Sequence, residues 1–257
     1  MDVFELLGIS EDLAGLTYFI GTLIMALPVP IQGLKKWGPK LITDGIYSSI
    51  LVNLYETFLS LLVQIGNVLG TNWNNFFNWV YQLLANELTV YTVIRSYYAA
   101  LTSVPYSSIN PIVGPISMLL SIVSGFMSVT GTLIVISELI YNYVGLIIVI
   151  GILLMSMPFR IGRSFGGSMI GFGMVFYIGL PLLPSFLSDF NANILQSISV
   201  QSNYSFSVLV TQIIPIYIEG TVLMPLAYLG MLASLSLGVG YAISGMSSRL
   251  PIPLDFL

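Results

Sequence analysis

Long apolar stretches alternate with short polar ones along the whole chain. Seven of the apolar stretches carry little or no charge: 13–31, 46–69, 88–104, 112–136, 139–157, 168–188 and 220–245. About 20 helical residues cross the hydrocarbon core of a bilayer. The pattern therefore predicts an all-α, polytopic transmembrane helix bundle of about seven spans, in a single membrane domain covering 1–257. The stretch from Ile112 to Met157 is 46 residues long and its only charge is Glu138. Two crossings need about 40 residues, so a turn is expected around Ser137–Asn142. The span 88–104 is short and contains Arg95. Before the last span, Asp189–Ser205 is polar and Phe206–Ile218 is apolar, but with 13 residues it is too short to cross. It is expected to be re-entrant, interfacial or packed on the bundle.

Composition agrees with this pattern. The chain has 7 basic and 11 acidic residues among 257, and 56% of its residues are hydrophobic. A soluble domain is about 25% charged. Too little polar surface exists here to cover a water-soluble globule, which excludes solution enzymes, soluble nucleic-acid-binding domains and disordered chains. A multi-pass protein of the plasma membrane is left, with the lipid bilayer as its first partner. The absence of Cys rules out disulfides, thiol nucleophiles and iron–sulfur clusters. The absence of His removes the usual metal ligand and the usual neutral-pH base. Ser164–Gly173 is glycine-rich, yet no Gly-Lys-Ser or Gly-Lys-Thr closes a phosphate loop. No catalytic constellation, metal site or cofactor site is visible, so an enzyme is not expected. Energy for any transport comes from a gradient or a separate motor.

Basic residues in short loops set orientation. With the N-terminus outside and seven spans, Lys35, Lys36, Lys40, Arg160, Arg163 and Arg249 all fall on the cytoplasmic side, together with the C-terminus. The outer side receives the acidic start (Asp2, Glu5, Glu11, Asp12), Glu138 and the loop Asp189–Glu219. A secretory signal begins with a basic region, so this acidic start is not read as a cleaved leader. Asn203-Tyr204-Ser205 matches the N-glycosylation acceptor pattern on the expected outer side. The first role of the basic loops Lys35–Lys40 and Arg160–Arg163 is topology. Docking a motor or touching phosphate is the sharper alternative.

The second span carries the clearest polar pattern. Ser49, Asn53, Glu56, Ser60, Gln64 and Asn67 recur at helical spacing, opposite Leu51, Leu54, Phe58, Leu62 and Ile65. Unsatisfied polar groups in hydrocarbon cost several kcal/mol. The stripe must face protein, as interhelical hydrogen bonding, or water, as the wall of an aqueous path. Glu56 and Arg95 both lie roughly 14–15 Å deep at about 1.5 Å per residue, on consecutive antiparallel spans. An intramembrane ion pair between them would either fix helix register or serve gating. Small residues at Gly114, Ser117, Ser121, Ser124, Ser128 and Gly131, at Gly167 and Gly171, and at Gly230, Ser234 and Gly238 predict close helix packing. Asn72–Gln82 places Trp73, Phe76, Phe77 and Val80 opposite Asn74, Asn75, Asn78 and Gln82, as an interfacial amphipathic helix would.

This layout, with its acidic outer start, lack of Cys and His, and abundant Ile, Tyr, Ser and Asn, resembles the CedA family of crenarchaeal DNA-import membrane proteins. Met157-Pro158-Phe159-Arg160-Ile161-Gly162-Arg163, leading into a Gly-rich span that ends Pro181-Leu182-Leu183-Pro184, is also similar to the TrbL/VirB-six group of type IV secretion channel subunits. The resemblance implies a non-enzymatic channel or translocation subunit for DNA import, acting as a ring of copies. It also implies a separate VirB-four/HerA-like ATPase, a small pilin-like membrane protein and transient contact with DNA. From the residues alone, two alternatives stay open. One is a secondary transporter of a small solute with a midplane Glu56–Arg95 site and a gate in Gln212–Glu219 around Pro215. The other is a structural anchor of an envelope complex.

Overall fold

A computed structural model describes residues 2–28, 35–103, 110–197 and 206–245. The acceptor sequence Asn203-Tyr204-Ser205, Arg249 and the last residues of the expected spans 13–31 and 88–104 lie outside the described residues. Every regular element among the described residues is helical. In chain order they are α1 (Val3–Ala26), α2 (Trp37–Asn53), α3 (Tyr55–Leu69), α4 (Trp73–Thr102), α5 (Asn110–Ser156), a 3₁₀ turn (Pro158–Arg160), α6 (Arg163–Gly179), a second 3₁₀ turn (Leu180–Leu182), α7 (Leu183–Asp189) and α8 (Ile194–Ser197). The last run contains α9 (Phe206–Val208), α10 (Ile214–Tyr217) and α11 (Met224–Ser244), joined by the π-helical turns Leu209–Ile213 and Ile218–Leu223.

Local chemistry explains the ends of these elements. Asp2 caps α1, and Glu5 reaches back to the Asp2 amide at 3.0 Å, a capping box built from the acidic start. Gly70, at φ +73°, closes α3 in the left-handed region. The Asn72 side chain accepts from the Asn75 amide at 3.0 Å and starts α4.

Among the described residues, four helices are long and apolar enough to cross a membrane: Val3–Ala26, Val113–Ser156, Arg163–Asp189 and Val210–Ser244. A fifth candidate is the pair α2 and α3, bent by 55°, taken as one span. The sequence-based segments need correcting in four places. First, α5 runs without a break through Ser137–Asn142, because no Gly or Pro in that stretch interrupts the backbone ladder. Second, the expected span 88–104 is not among the four. It belongs to α4, whose Asn, Gln, Thr and Tyr side chains, with Glu87 and Arg95, keep it too polar. Third, the expected span 46–69 is split at Leu54. There the Asn53 side-chain Nδ2 donates to the Ser49 carbonyl at 2.8 Å and competes with the helix's own bond. Fourth, Phe206–Ile218 is continuous with the last span rather than separate from it.

The last case has a specific cause. Thr211 stands four residues before Pro215, and Thr221 four before Pro225. A proline cannot donate to the carbonyl four residues back, and its ring clashes with it. Each π turn includes the threonine whose carbonyl is stranded in this way. Widening the turn by one residue lets the helix pass the proline without ending.

The described chain forms two compact units, each assembled from separated stretches. The first comprises Met1–Thr71, Leu139–Gly179 and Met231–Leu257; the second comprises Asn72–Glu138 and Leu180–Gly230. The core of the first gathers Leu51, Tyr55, Leu62, Ile148, Ile152 and Ile170. Its helices meet at glycines. A Cβ on Gly45 would stand 2.8 Å from the Ala14 carbonyl, so α1 and α2 touch through their backbones. A Cβ on Gly171 would stand 2.5 Å from the Ser236 carbonyl, and one on Gly240 would stand 2.9 Å from the Gly167 carbonyl. The expected motif Gly167–Gly171 thus packs closely on Ser236, Gly240 and Ser244 of α11. A Cβ on Gly230 or Gly238 would meet nothing within 4 Å.

In the second unit the aromatic start of α4 turns inward. Phe76, Val80 and Leu83 are buried, while Asn74, Asn75, Asn78 and Gln82 stay exposed. The expected two-faced helix is present, but its apolar face packs on protein instead of lying free at the membrane surface. Trp79 Nε1 donates to Asn193 Oδ1 at 3.2 Å, and Asn193 Nδ2 donates to Ser188 Oγ at 3.0 Å.

These contacts predict that Gly171→Leu, which forces a side chain into the α11 backbone, destabilises the chain by about 1–3 kcal/mol. Gly131→Leu, where a Cβ meets nothing within 4 Å, leaves stability unchanged. Thermal unfolding in detergent, followed by tryptophan fluorescence, checks both.

Candidate functional site: a polar helix face and a buried charge cluster

The polar stripe is divided by the bend. Ser49 and Asn53 sit on α2; Glu56, Ser60, Gln64 and Asn67 sit on α3. Ser49 Oγ donates to the Glu11 carboxylate of α1 at 2.6 Å. Gln64 Nε2 donates to Ser60 Oγ at 3.1 Å along the helix. Tyr55, Leu62 and Gly66 are buried on the opposite face of α3, and the four stripe residues of α3 are exposed on the first unit. Tyr55 and Gly145 explain how α3 is seated: a Cβ on Gly145 would lie 2.7 Å from the Tyr55 hydroxyl, so only glycine leaves room for that ring. Arg95 is exposed on α4 of the second unit, whereas Glu56 belongs to the first.

The strongest electrostatic feature is one that the sequence pattern did not single out. Asp44, on α2, is 6% exposed. Arg160 grips it with two bonds, Nε to Oδ2 at 2.6 Å and Nη2 to Oδ1 at 2.8 Å. Arg163 Nη1 donates to the same Oδ1, and Arg163 Nε donates to the Ser244 carbonyl at 2.8 Å. The Arg163 guanidinium also lies 5.3 Å over the Tyr47 ring, and the Tyr47 hydroxyl donates to the Ile243 carbonyl at 2.8 Å. One carboxylate therefore ties α2, the turn after α5 and the end of α11 together. The bond to Asp44 raises the Arg160 pKa, against the effect of burial. Arg160 and Arg163, expected as cytoplasmic loop charges that set topology, also bind Asp44. The signal was present: Asp44 is the lone acid beside the loops where the basic residues collect.

Around this cluster the remaining basic residues stay open. Lys35, Lys36 and Lys40 are exposed. Lys40 Nζ lies 5.6 Å from the Trp37 ring centroid, and Trp37 meets Phe159 edge-on at 6.5 Å.

A second buried acid was also missed. Glu87, on α4, has no exposed surface and accepts one hydrogen bond, from Thr130 Oγ1 at 2.7 Å; its Oε2 has no partner among the described residues. Burial raises its carboxyl from 4.5 to about 7, and the Thr130 bond offsets only part of that rise. Position 87 falls on the buried face with Leu83, Val90 and Ile94, which is how periodicity could have found it.

Three comparisons bear on this arrangement. A family model described as "CedA1: DNA import protein CedA1" matches residues 2–68, the stretch that holds α1, α2 and almost all of α3. A Sulfolobus acidocaldarius protein named "DNA import protein CedA" is 39% identical over 257 residues, covering 99% of this chain and 99% of its own length. No solved structure matches.

Removing Asp44 leaves two guanidinium groups facing each other. Asp44→Asn is predicted to cost about 3 kcal/mol, and adding Arg163→Gln to recover part of the loss, both read by thermal unfolding. Glu87 has a distinct pH signature. Its carboxyl ionises near 4.5 when unfolded and near 7 when folded, so the folded chain holds the extra proton in between. Stability falls as pH rises through that window and levels off above it, by on the order of 3 kcal/mol. Glu87→Gln removes this fall, and a melting series from pH 4 to 8 measures the difference.

Proposed function

The chain belongs to the CedA family of DNA import proteins, and on that premise we propose that it is a non-enzymatic membrane subunit of a DNA-import apparatus, forming part of the translocation path. The observation that carries this reading is the full-length similarity to a relative named for DNA import. The fold supports it with several helices apolar enough to cross a membrane. The exposed polar face of α3 supports a path wall: Glu56, Ser60, Gln64 and Asn67 are not consumed by the core of their own unit. A helix facing lipid would not keep such a face.

We place the N-terminus outside and the basic loops in the cytoplasm. Counting α2 and α3 as one crossing gives five crossings. Relative to seven, the segment 88–104 is lost, and 112–136 fuses with 139–157. Two crossings disappear, so the loops around Lys35–Lys40 and Arg160–Arg163 keep their side. Their meeting through Trp37 and Phe159 supports a common side. Several copies assemble around the path in this reading. Gly114, Ser117, Ser121, Ser124 and Ser128 of α5 are exposed, and Ser117, Ser121 and Ser128 donate their hydroxyls back along the helix. The result is a smooth face suited to a second helix. The chain has no phosphate loop, so a separate ATPase supplies the energy, with a pilin-like protein as a further partner.

Deletion of the gene is expected to abolish uptake of DNA from other cells while leaving growth intact. Restoring the gene with Gln64→Leu and Asn67→Leu is expected to return the protein to the membrane but to cut uptake at least several-fold. Normal uptake after deletion removes the import reading, and normal uptake by the leucine variant removes the path-wall assignment.

A further inference from the structure

Five of the seven basic residues of this acidic chain, Lys35, Lys36, Lys40, Arg160 and Arg163, gather at one end of the first unit. They are interleaved with two exposed rings. Trp37, Lys40 and Asp44 follow one another at three and four residues on α2, so they share a face. Phe159 and Arg160 face them from the turn after α5. The order across the surface is Lys40, Trp37, Phe159, with 5.6 Å between ammonium and ring and 6.5 Å between rings. Arg160 is anchored beneath. Trp37 is 40% exposed and Phe159 46%.

Two features separate this patch from an ordinary membrane-interface belt of Trp and Lys. The first is the backbone. Phe159 and Arg160 both adopt φ +62°, although neither is glycine. Such a backbone is strained for a residue with a side chain and persists only where its surroundings over-determine it. Here the strain presents the Phe159 ring to Trp37 and the guanidinium to Asp44. The second is the charge balance. Arg163, the more buried arginine, neutralises Asp44. Arg160 spends Nε and one Nη2 hydrogen on the carboxylate, so three of its five N–H groups remain on a side chain that is 33% exposed. A diffuse lipid anchor needs only flexible lysines that snorkel. A fixed guanidinium edge beside two partly exposed rings is a preorganised arrangement for stacking bases and holding phosphates.

We propose that Trp37, Phe159, Lys36, Lys40 and the outer edge of Arg160 form a contact site for single-stranded DNA, with the rings stacking bases and the cations holding backbone phosphates. This site rests on the DNA-import reading, and on the orientation above it receives the strand at the cytoplasmic mouth. The test uses the full chain in phosphatidylcholine nanodiscs and a fluorescein-labelled 15-nucleotide oligo-dT, read by anisotropy at several salt concentrations. Wild type is expected to bind, with affinity falling as salt rises. Trp37→Ala is expected to weaken binding about ten-fold with little change in the salt dependence. Lys40→Gln, a surface change that spares the fold, is expected to reduce the salt slope by about 0.7. Melting curves confirm that the variants are folded. The proposal is overturned if wild type ignores the oligonucleotide, if both variants bind it like wild type, or if the same variants instead lose binding to vesicles containing phosphatidylglycerol. DNA uptake by cells carrying Trp37→Ala with Lys40→Gln separates the two levels. If the gene deletion abolishes uptake but this double variant imports normally, the site falls and the import reading stands. If the deletion itself imports normally, the reading falls.

Discussion

Between apolar helices in a bilayer, burial of leucine brings little, because the lipid it leaves is as apolar as the neighbour it meets. Association has to come from close backbone contact and from polar groups that find one another. The first unit uses both. Gly21, Gly38 and Gly45 bring α1 against α2, and Gly167, Gly171 and Gly240 bring α6 against α11. At one end of these crossings, Asp44 collects two arginines and, through Arg163 and Tyr47, the last carbonyls of α11. Any larger residue at the glycines would move the helices apart, and the charge cluster would lose the distances on which its energy depends. Backbone contact is therefore the first condition of the fold, and the ionic cluster follows from it.

Where helices must depart from ideal geometry, the cause can be named residue by residue. Asn53 takes a carbonyl from its own helix and the path bends by 55°. Pro215 and Pro225 each strand the carbonyl of a threonine four residues back, and a π turn absorbs the mismatch. The two devices have opposite results: a bend redirects α3, whereas the π turns keep one helical run going for the length of a long span. Pi turns weaken the regular ladder without breaking it, so they mark where this run can adjust its winding at low cost.

The function proposed for the chain uses surfaces that packing leaves open. The polar face of α3 is one, and the basic and aromatic end of the first unit is another. Both are built on rigid supports, the buried Tyr55 and Leu62 on one side and the Asp44 cluster on the other. A translocation path benefits from such an arrangement, because a mobile polyanion needs weak, repeated contacts held in fixed places. Under the proposed reading, the acidic and neutral character of α3 and the cationic end serve different steps: passage without retention, and capture where the strand arrives.

Much of this was legible from the chain alone. Scarcity of charge, together with runs of apolar residues, is a property of local composition, and it pointed to helices long and apolar enough to cross a membrane, the only regular element among the described residues. Helical spacing likewise identified the polar face of α3 and the two-faced start of α4. Side-chain periodicity depends only on the 3.6-residue turn. Span boundaries were less legible, because hydropathy cannot tell a turn at Ser137–Asn142 from helix that continues, nor a polar helix such as α4 from a marginal crossing. Tertiary structure alone decided which small residues touch, so that Ser236 and Gly240, not Gly230 and Gly238, receive Gly167 and Gly171. It also decided that Asp44 meets arginines 116 and 119 residues away. Contacts between distant segments depend on the rotation and register of whole helices, which the sequence specifies only through the sum of all their packing.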